Sequence, residues 1–335
     1  MAFSLQKIFA KYSGFLRTVK AVYVVNNLLN APRLQRNKSL YKKWGLKKSI
    51  FSPISSRDFK RMEQQDIPWI DRPDALESLA NNAEYQAFSP DIQAKIRQFI
   101  TEGYLVLENF APIADTDALN AEVEQLLVEG KAGFNFTGRK IFNLFENSPL
   151  ANERFFRRPE LIQLLHFLLG KKIIPFQTLN FTLGSEQKPH SDAIHMTTQP
   201  QGYMIAAWYA LEDCTPYNGP LVYYPGSHRL PVISTEDYDS GDSTFLIGSH
   251  SNERYEQKIA EVIAEHQLQP RQFLAKRGDV LVWHYNLLHG GSPIVGDPLQ
   301  REKPVTRKSM VCHYFADDVI CYHEMLHRPA LVREA

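Results

Sequence analysis

The chain has 335 residues, 44% hydrophobic and 22% charged, which leaves room for one large core and excludes global disorder. Its three cysteines (Cys214, Cys312, Cys321) form no CxxC pair, which argues against a disulfide framework or a cysteine zinc site and fits a reducing cytoplasm. The net charge of +1 hides a division: twelve of the 38 Lys and Arg precede the first acid, Asp58, leaving 26 against all 37 acids, a net of −11. A basic arm is thus joined to an acidic body. No apolar run approaches the ~20 residues of a membrane span, and no secretory signal is expected at the N-terminus.

Residues 3–28 carry Leu5, Ile8, Phe9, Tyr12, Phe15, Leu16, Val19 and Tyr23 at three- and four-residue steps, with Lys7, Lys11, Arg17 and Lys20 between them. This spacing predicts a basic amphipathic helix that either packs on the acidic body or lies on anionic lipid. A second basic stretch, 33–48, completes an arm over residues 1–50. Residues 51–87 read as a polar, proline-containing connector. From residue 88 the predicted elements are a helix opening at Ser89-Pro90, a strand at 103–107, and helices over 118–127 and 159–169. Short apolar strands follow at 173–183, 202–211, 220–224, 279–285 and 307–315, interrupted by a helix over 253–266. Many short strands behind a few helices predict a mainly β domain with flanking helices (α+β), a sandwich or barrel over 88–325, with a tail at 326–335.

The chemistry starts at Lys188-Pro189-His190-Ser191-Asp192. In an extended segment residues i and i+2 face the same side, so His190 and Asp192 can present a nitrogen and an oxygen to one metal ion. A second histidine from a neighbouring strand would complete a two-histidine, one-carboxylate face, an arrangement suited to non-haem iron(II). Two histidines compete for that place, His284 in Val282-Trp283-His284 and His289 in Leu288-His289-Gly290-Gly291. Arg307, at the start of the last predicted strand, offers a guanidinium that can pair with a carboxylate at two points.

In order and density these pieces resemble the phytanoyl-CoA dioxygenase family over roughly residues 88–325. The matching segments are Glu102 to Leu107, His190-Ser191-Asp192, Ala207 to Asp213, Asn218 to Leu221, Pro225 to His228, His289-Gly290 and Arg307 to Tyr314. The resemblance implies a double-stranded β-helix (jelly roll) and use of iron(II), 2-oxoglutarate and O2. It also implies iron on His190, Asp192 and His289, and co-substrate contacts from Arg307, Trp208 and Gln177. His289 is favoured over His284 by the glycines after it, and His284 is expected beside the ligands rather than among them.

One departure concerns the arginine. In the family it follows the distal histidine by about ten residues; Arg301 follows His289 by twelve and Arg307 by eighteen. Arg301 lies in a polar loop, whereas Arg307 opens the matching strand, so an inserted loop with Arg307 as the contact is the preferred reading. Asp192 stands where related halogenases have a small residue, which favours hydroxylation, or a desaturation that starts from the same hydrogen abstraction. His228 is expected to stabilise its turn, and a loop at His195 could turn that ring toward substrate. The expected substrate is an organic molecule, lipid-like or membrane-presented, with a soluble small molecule as the alternative and no nucleic acid. A non-catalytic jelly-roll binding protein and a cupin-type hydrolase or isomerase are the other classes, although the His-x-His of cupins is missing.

Overall fold

The computed structural model describes residues 18–59, 66–135, 138–248, 250–296 and 305–332. Of the predicted arm helix, residues 3–17 lie outside the described residues, as does Arg301. The described part, α1 (Lys20–Leu29), is followed by a 3-10 turn (Ala31–Leu34) and α2 (Asn37–Lys43). Leu34, Leu40, Tyr41, Leu46, Ile50, Ile54 and Phe59 bury themselves against Ile320 and Tyr322 of the body. The arm's cations meet acids: Lys20 and Arg57 hold Asp242 at 2.6 and 2.7 Å, and Arg36 meets Asp317 at 2.9 Å. The described arm therefore packs on the body, although Val25, Leu28 and Leu29 of α1 stay exposed.

Helix α3 (Pro90–Glu102) begins at Ser89, whose hydroxyl accepts from the Ile92 N–H, and ends at Gly103, whose φ of +83° lets the chain turn into β1 (Tyr104–Leu107). A side chain at 103 would also collide with the His228 ring, 2.5 Å from an added Cβ. Helices α4 (Ile113–Val128) and α5 (Pro159–Leu169) complete the front layer, separated by β2 (Ile141–Phe142). The predicted strands then appear as β3 (Ile173–Phe181), β5 (Met204–Ala210), β6 (Leu221–Tyr223), β8 (Val280–His284) and β10 (Ser309–Ala316). Between them lie β4 (Thr197–Gln199), α6 (Ser251–Glu265), β7 (Arg271–Phe273) and β9 (His289–Gly291). Finally β11 (Ile320–His323) pairs with β12 (Arg328–Pro329), within the stretch expected as a tail.

The strands form a six-stranded antiparallel sheet in the order β1-β8-β5-β10-β3-β2 and two small sheets, β7-β6-β9 and β12-β11-β4. Alternation along the central strands separates two cores. Ile205, Ala207 and Tyr209 of β5, Val280 and Val282 of β8, and Met310, Cys312 and Tyr314 of β10 face the helices. Ala206, Trp208 and Ala210, Leu281 and Trp283, and Val311 face the opposite way, packing with Leu221, Tyr223 and Phe273 of the β7-β6-β9 sheet. The two facing sheets make a double-stranded β-helix with helices on its outer face. Among the described residues no helix is long and apolar enough to cross a membrane.

Candidate active site

His190 and His289 are brought together by backbone pairing. They form an isolated antiparallel bridge in which each donates its N–H to the other's carbonyl at 2.9 Å, which extends the β7-β6-β9 sheet by one segment. Paired residues of this kind project their side chains to the same face, and the two imidazoles stand with centroids 4.5 Å apart. The glycines after His289 make the pairing sterically possible. A Cβ at Gly290 would lie 2.6 Å from the Gln187 carbonyl oxygen, and one at Gly291 would lie 2.4 Å from Ser185 Oγ. The segment carrying the first histidine can close on β9 only where β9 has no side chains.

Asp192 opens a 3-10 turn directly after extended Ser191, and its carboxylate joins the two imidazoles. The ligand atoms of His190, Asp192 and His289 all lie within 4.8 Å of one another, a spacing that could hold a metal ion. Their orientation is fixed from behind. His190 Nδ1 lies 2.8 Å from the Lys188 carbonyl and His289 Nδ1 lies 3.0 Å from that of Leu287. Each Nδ1–H is thereby engaged, and each Nε2 lone pair is left for a ligand. The Trp283 indole N–H donates to Asp192 Oδ2 at 2.7 Å, holding the carboxylate while Oδ1 faces His289 Nε2 at 3.7 Å.

The electrostatics suit a cation. Burial holds both His190 and His289 below the ordinary histidine range, which favours the neutral imidazole that a metal binds. Burial opposes the charge on Asp192, but His289, His313 and His190 outweigh it and carry the carboxyl well below the usual carboxylate range. Two neutral nitrogens and one fixed negative oxygen form the donor set of an iron(II) site of this type.

The three side chains open into a cavity of about 810 Å³ that Arg307 also lines. Arg307 is 1% exposed, yet among the described residues Nε and Nη1 have no hydrogen-bond partner and Nη2 has only Ser185 Oγ at 3.3 Å. Its guanidinium stands 5.7 Å from the centre of the Trp208 ring. Burial pushes its pKa down, with Cys214 and Glu212 opposing. An unsatisfied buried guanidinium is costly unless an anion completes it. Its bonding capacity fits a carboxylate, so the residues present accommodate both groups that the sequence implied. Gln177 and Trp208 line the same cavity, as do His195 and His313.

His284 is the correction. It lies on β8 with the parity of Val280 and Val282, so it faces the helical side, where Nε2 sits 3.2 Å from Asp71. Its neighbour Trp283 occupies the position beside the ligands that was expected of His284. The alternation of β8 puts the two residues on opposite faces, but which face meets the site is settled by packing. Lys140 was also missed: it lines the cavity and donates to Gln187 Oε1 at 3.0 Å, but a lone lysine before a two-residue strand carries no sequence signal. His228 packs under Gly103 with Nε2 3.3 Å from the Ile100 carbonyl, the turn-stabilising place expected of it.

Residues 99–301 match the family model described as phytanoyl-CoA dioxygenase (PhyH). Human peroxisomal phytanoyl-CoA dioxygenase is 22% identical over 246 residues, covering 66% of this chain and 68% of its own. The ectoine dioxygenase of Sphingopyxis alaskensis is 26% identical over 231 residues, covering 63% and 74%. Among solved structures, the apo form of EctD from S. alaskensis superposes with a TM-score of 0.50 at 24% identity, covering 70% of this chain and 79% of that one. The epimerase SnoN of nogalamycin biosynthesis, solved with iron and α-ketoglutarate, gives 0.51 at 18% identity, covering 70% and 87%. With its model matched over more than half the residues, the chain belongs to the phytanoyl-CoA dioxygenase family.

Proposed function

We propose that this enzyme is an iron(II)- and 2-oxoglutarate-dependent dioxygenase that hydroxylates an aliphatic C–H bond of an organic substrate. The observation that carries the reading is the sharing of one cavity by the His190–Asp192–His289 donor set and an Arg307 guanidinium that, among the described residues, bonds only Ser185 Oγ. His190 and His289 would hold iron through Nε2, and Asp192 would supply the third bond and part of the charge balance. Arg307 would take the far carboxylate of 2-oxoglutarate, seated over Trp208, with Gln177 along the same wall. When bound, iron(II) with 2-oxoglutarate and O2 supplies an oxidant that removes hydrogen from carbon and returns hydroxyl, releasing succinate and CO2.

The chain's own part is positioning and exclusion of water. Trp283 keeps one Asp192 oxygen engaged, so the carboxylate presents a single oxygen to the metal side. The buried His313 stands with Nε2 3.7 Å from Asp192 Oδ2 and narrows the cavity at that point. Phe176, Leu179, Met196, Met325, Leu326 and Leu331 give the cavity an apolar wall, which favours a lipid-like substrate over a strongly hydrated one. Exposed Val25, Leu28 and Leu29 on the basic arm support delivery of that substrate from an anionic membrane by an otherwise cytoplasmic protein.

The test is succinate release from 2-oxoglutarate in the presence of fractionated metabolite and lipid pools. Release that requires both iron(II) and a pool component supports the reading, and its loss in Asp192→Ala supports the ligand set. No iron-dependent succinate with any pool would favour a binding protein on the same fold.

A further inference from the structure

Two further arginines line the same cavity. Arg33, from the 3-10 turn after α1, and Arg328, from β12, line it together with the proposed metal centre. Among the described residues neither guanidinium has a carboxylate within ion-pairing distance, although Lys20, Arg36, Lys43, Lys48 and Arg57 of the same arm all do. Arg328 is largely withdrawn from water, which depresses its pKa, and the described group that offsets this is Tyr23 of α1, another residue of the cavity wall. A cation so placed costs stability until an anion joins it.

The path from the metal end to Arg328 can be followed ring by ring. The His190 and His195 centroids are 5.5 Å apart, and those of His195 and His323 are 5.8 Å apart. His323 lies directly across from Arg328 in the β11–β12 register. Met325, Leu326 and Leu331 add apolar surface to the same cavity. The surroundings therefore run from the metal donors past the rings of His195 and His323 and apolar side chains to the Arg328 guanidinium, with Arg33 in the same cavity wall.

We propose that Arg33 and Arg328 bind an acid group on the substrate, so that the enzyme oxidises an organic acid at a carbon remote from its carboxylate or phosphate. This rests on the reading of His190, Asp192 and His289 as the metal end. Arg307 is left for 2-oxoglutarate, and the two acids are held by different arginines. Arg33 belongs to the arm, so the arm completes the substrate site as well as covering β11. The selectivity follows from unequal costs: an acid satisfies both guanidinium groups, whereas a neutral analogue leaves the largely buried Arg328 without a counter-charge.

The test uses matched probes on protein loaded anaerobically with iron(II) and 2-oxoglutarate: octanoate against octanamide, and octyl phosphate against octanol, by calorimetry. At least one anion is expected to bind about ten-fold or more tightly than its neutral partner, as the loss of charge-assisted bonds implies. The carboxylate and phosphate arms identify which acid is preferred. In the Arg33→Gln/Arg328→Gln variant the preference should fall to within about two-fold, and in the double lysine variant a part of it should return. The visible band of the iron–2-oxoglutarate chelate checks that each variant is folded. Equal binding of acid and neutral probe, no binding of any probe at millimolar concentration, or an unchanged preference in the glutamine variant would each overturn the proposal. Absence of the band in wild type would instead overturn the metal reading, and the same titrations on metal-free protein would still decide the arginine pair.

Discussion

Replacing Trp283 by phenylalanine isolates one bond behind the proposed metal centre. The indole N–H donates to Asp192 Oδ2 at 2.7 Å in a position 1% exposed, and phenylalanine keeps an aromatic ring while removing the donor. A hydrogen bond to a buried carboxylate contributes about 1.5–3 kcal/mol. The carboxylate will partly reorient, so the loss should appear as a weakening of metal binding by roughly 10–100-fold, the range for partners that orient a ligand. Iron(II) affinity is measured anaerobically by competition with a chromophoric chelator, with thermal unfolding of the metal-free protein as a control. Trp283 also packs against Leu281 and Trp208, so a modest drop in Tm is expected from the smaller ring. Metal affinity within two-fold of wild type would refute the view that Trp283 fixes the carboxylate.

Arg307→Gln should raise the 2-oxoglutarate requirement by about 10²-fold or more, because a charge-assisted two-point contact is lost. The same change at Arg301 should leave that requirement within two-fold; the reverse pattern in saturation curves would transfer the role to Arg301. Gly290→Ala should abolish iron binding while secondary structure by circular dichroism persists, since its Cβ would stand 2.6 Å from the Gln187 carbonyl oxygen and push apart the His190–His289 pairing. Asp242→Asn should destabilise the protein by on the order of 2–3 kcal/mol, less than a fully buried pair because Arg57 is partly solvated. Limited proteolysis near Lys20 should accelerate in step. His228, held to about 3 by burial with His284 adding repulsion, predicts acid sensitivity. The unfolded chain takes up that proton near 6.5 and the folded chain near 3, so stability falls as pH drops through this window, by up to ~1.4 kcal/mol per pH unit. In His228→Gln, denaturant titrations between pH 6.5 and 4 should show a shallower loss.

Much of this arrangement was legible in the sequence because it depends on local pattern. Strand positions followed apolar alternation, and the helix opening at Ser89-Pro90 followed from capping and the fixed φ of proline. The His-x-Asp pair was readable because two residues along extended backbone share a face, and the glycines after His289 set it apart from His284. What was not legible depended on packing between distant segments. The orientation of His284 requires knowing which face of β8 meets the helices, and that is decided by the partition between Val282 and Trp283. The arm's cations read equally well as partners for lipid or for protein; the choice for the described residues lies with Asp242 and Asp317, far along the chain. The presence of Arg33 and Arg328 in the wall of one cavity joins positions nearly 300 residues apart, with no periodicity to signal it.

The central claim is that His190, Asp192 and His289 hold iron(II) in a cavity where Arg307 binds 2-oxoglutarate. The most direct measurement is anaerobic titration of iron(II) and 2-oxoglutarate into the protein, following the weak visible charge-transfer absorption of the chelate. The account predicts a saturable band with one iron and one 2-oxoglutarate per chain in wild type, and its loss in Asp192→Ala at the same concentrations. No band in the wild-type protein, or an undiminished band with full turnover in Asp192→Ala, would contradict it.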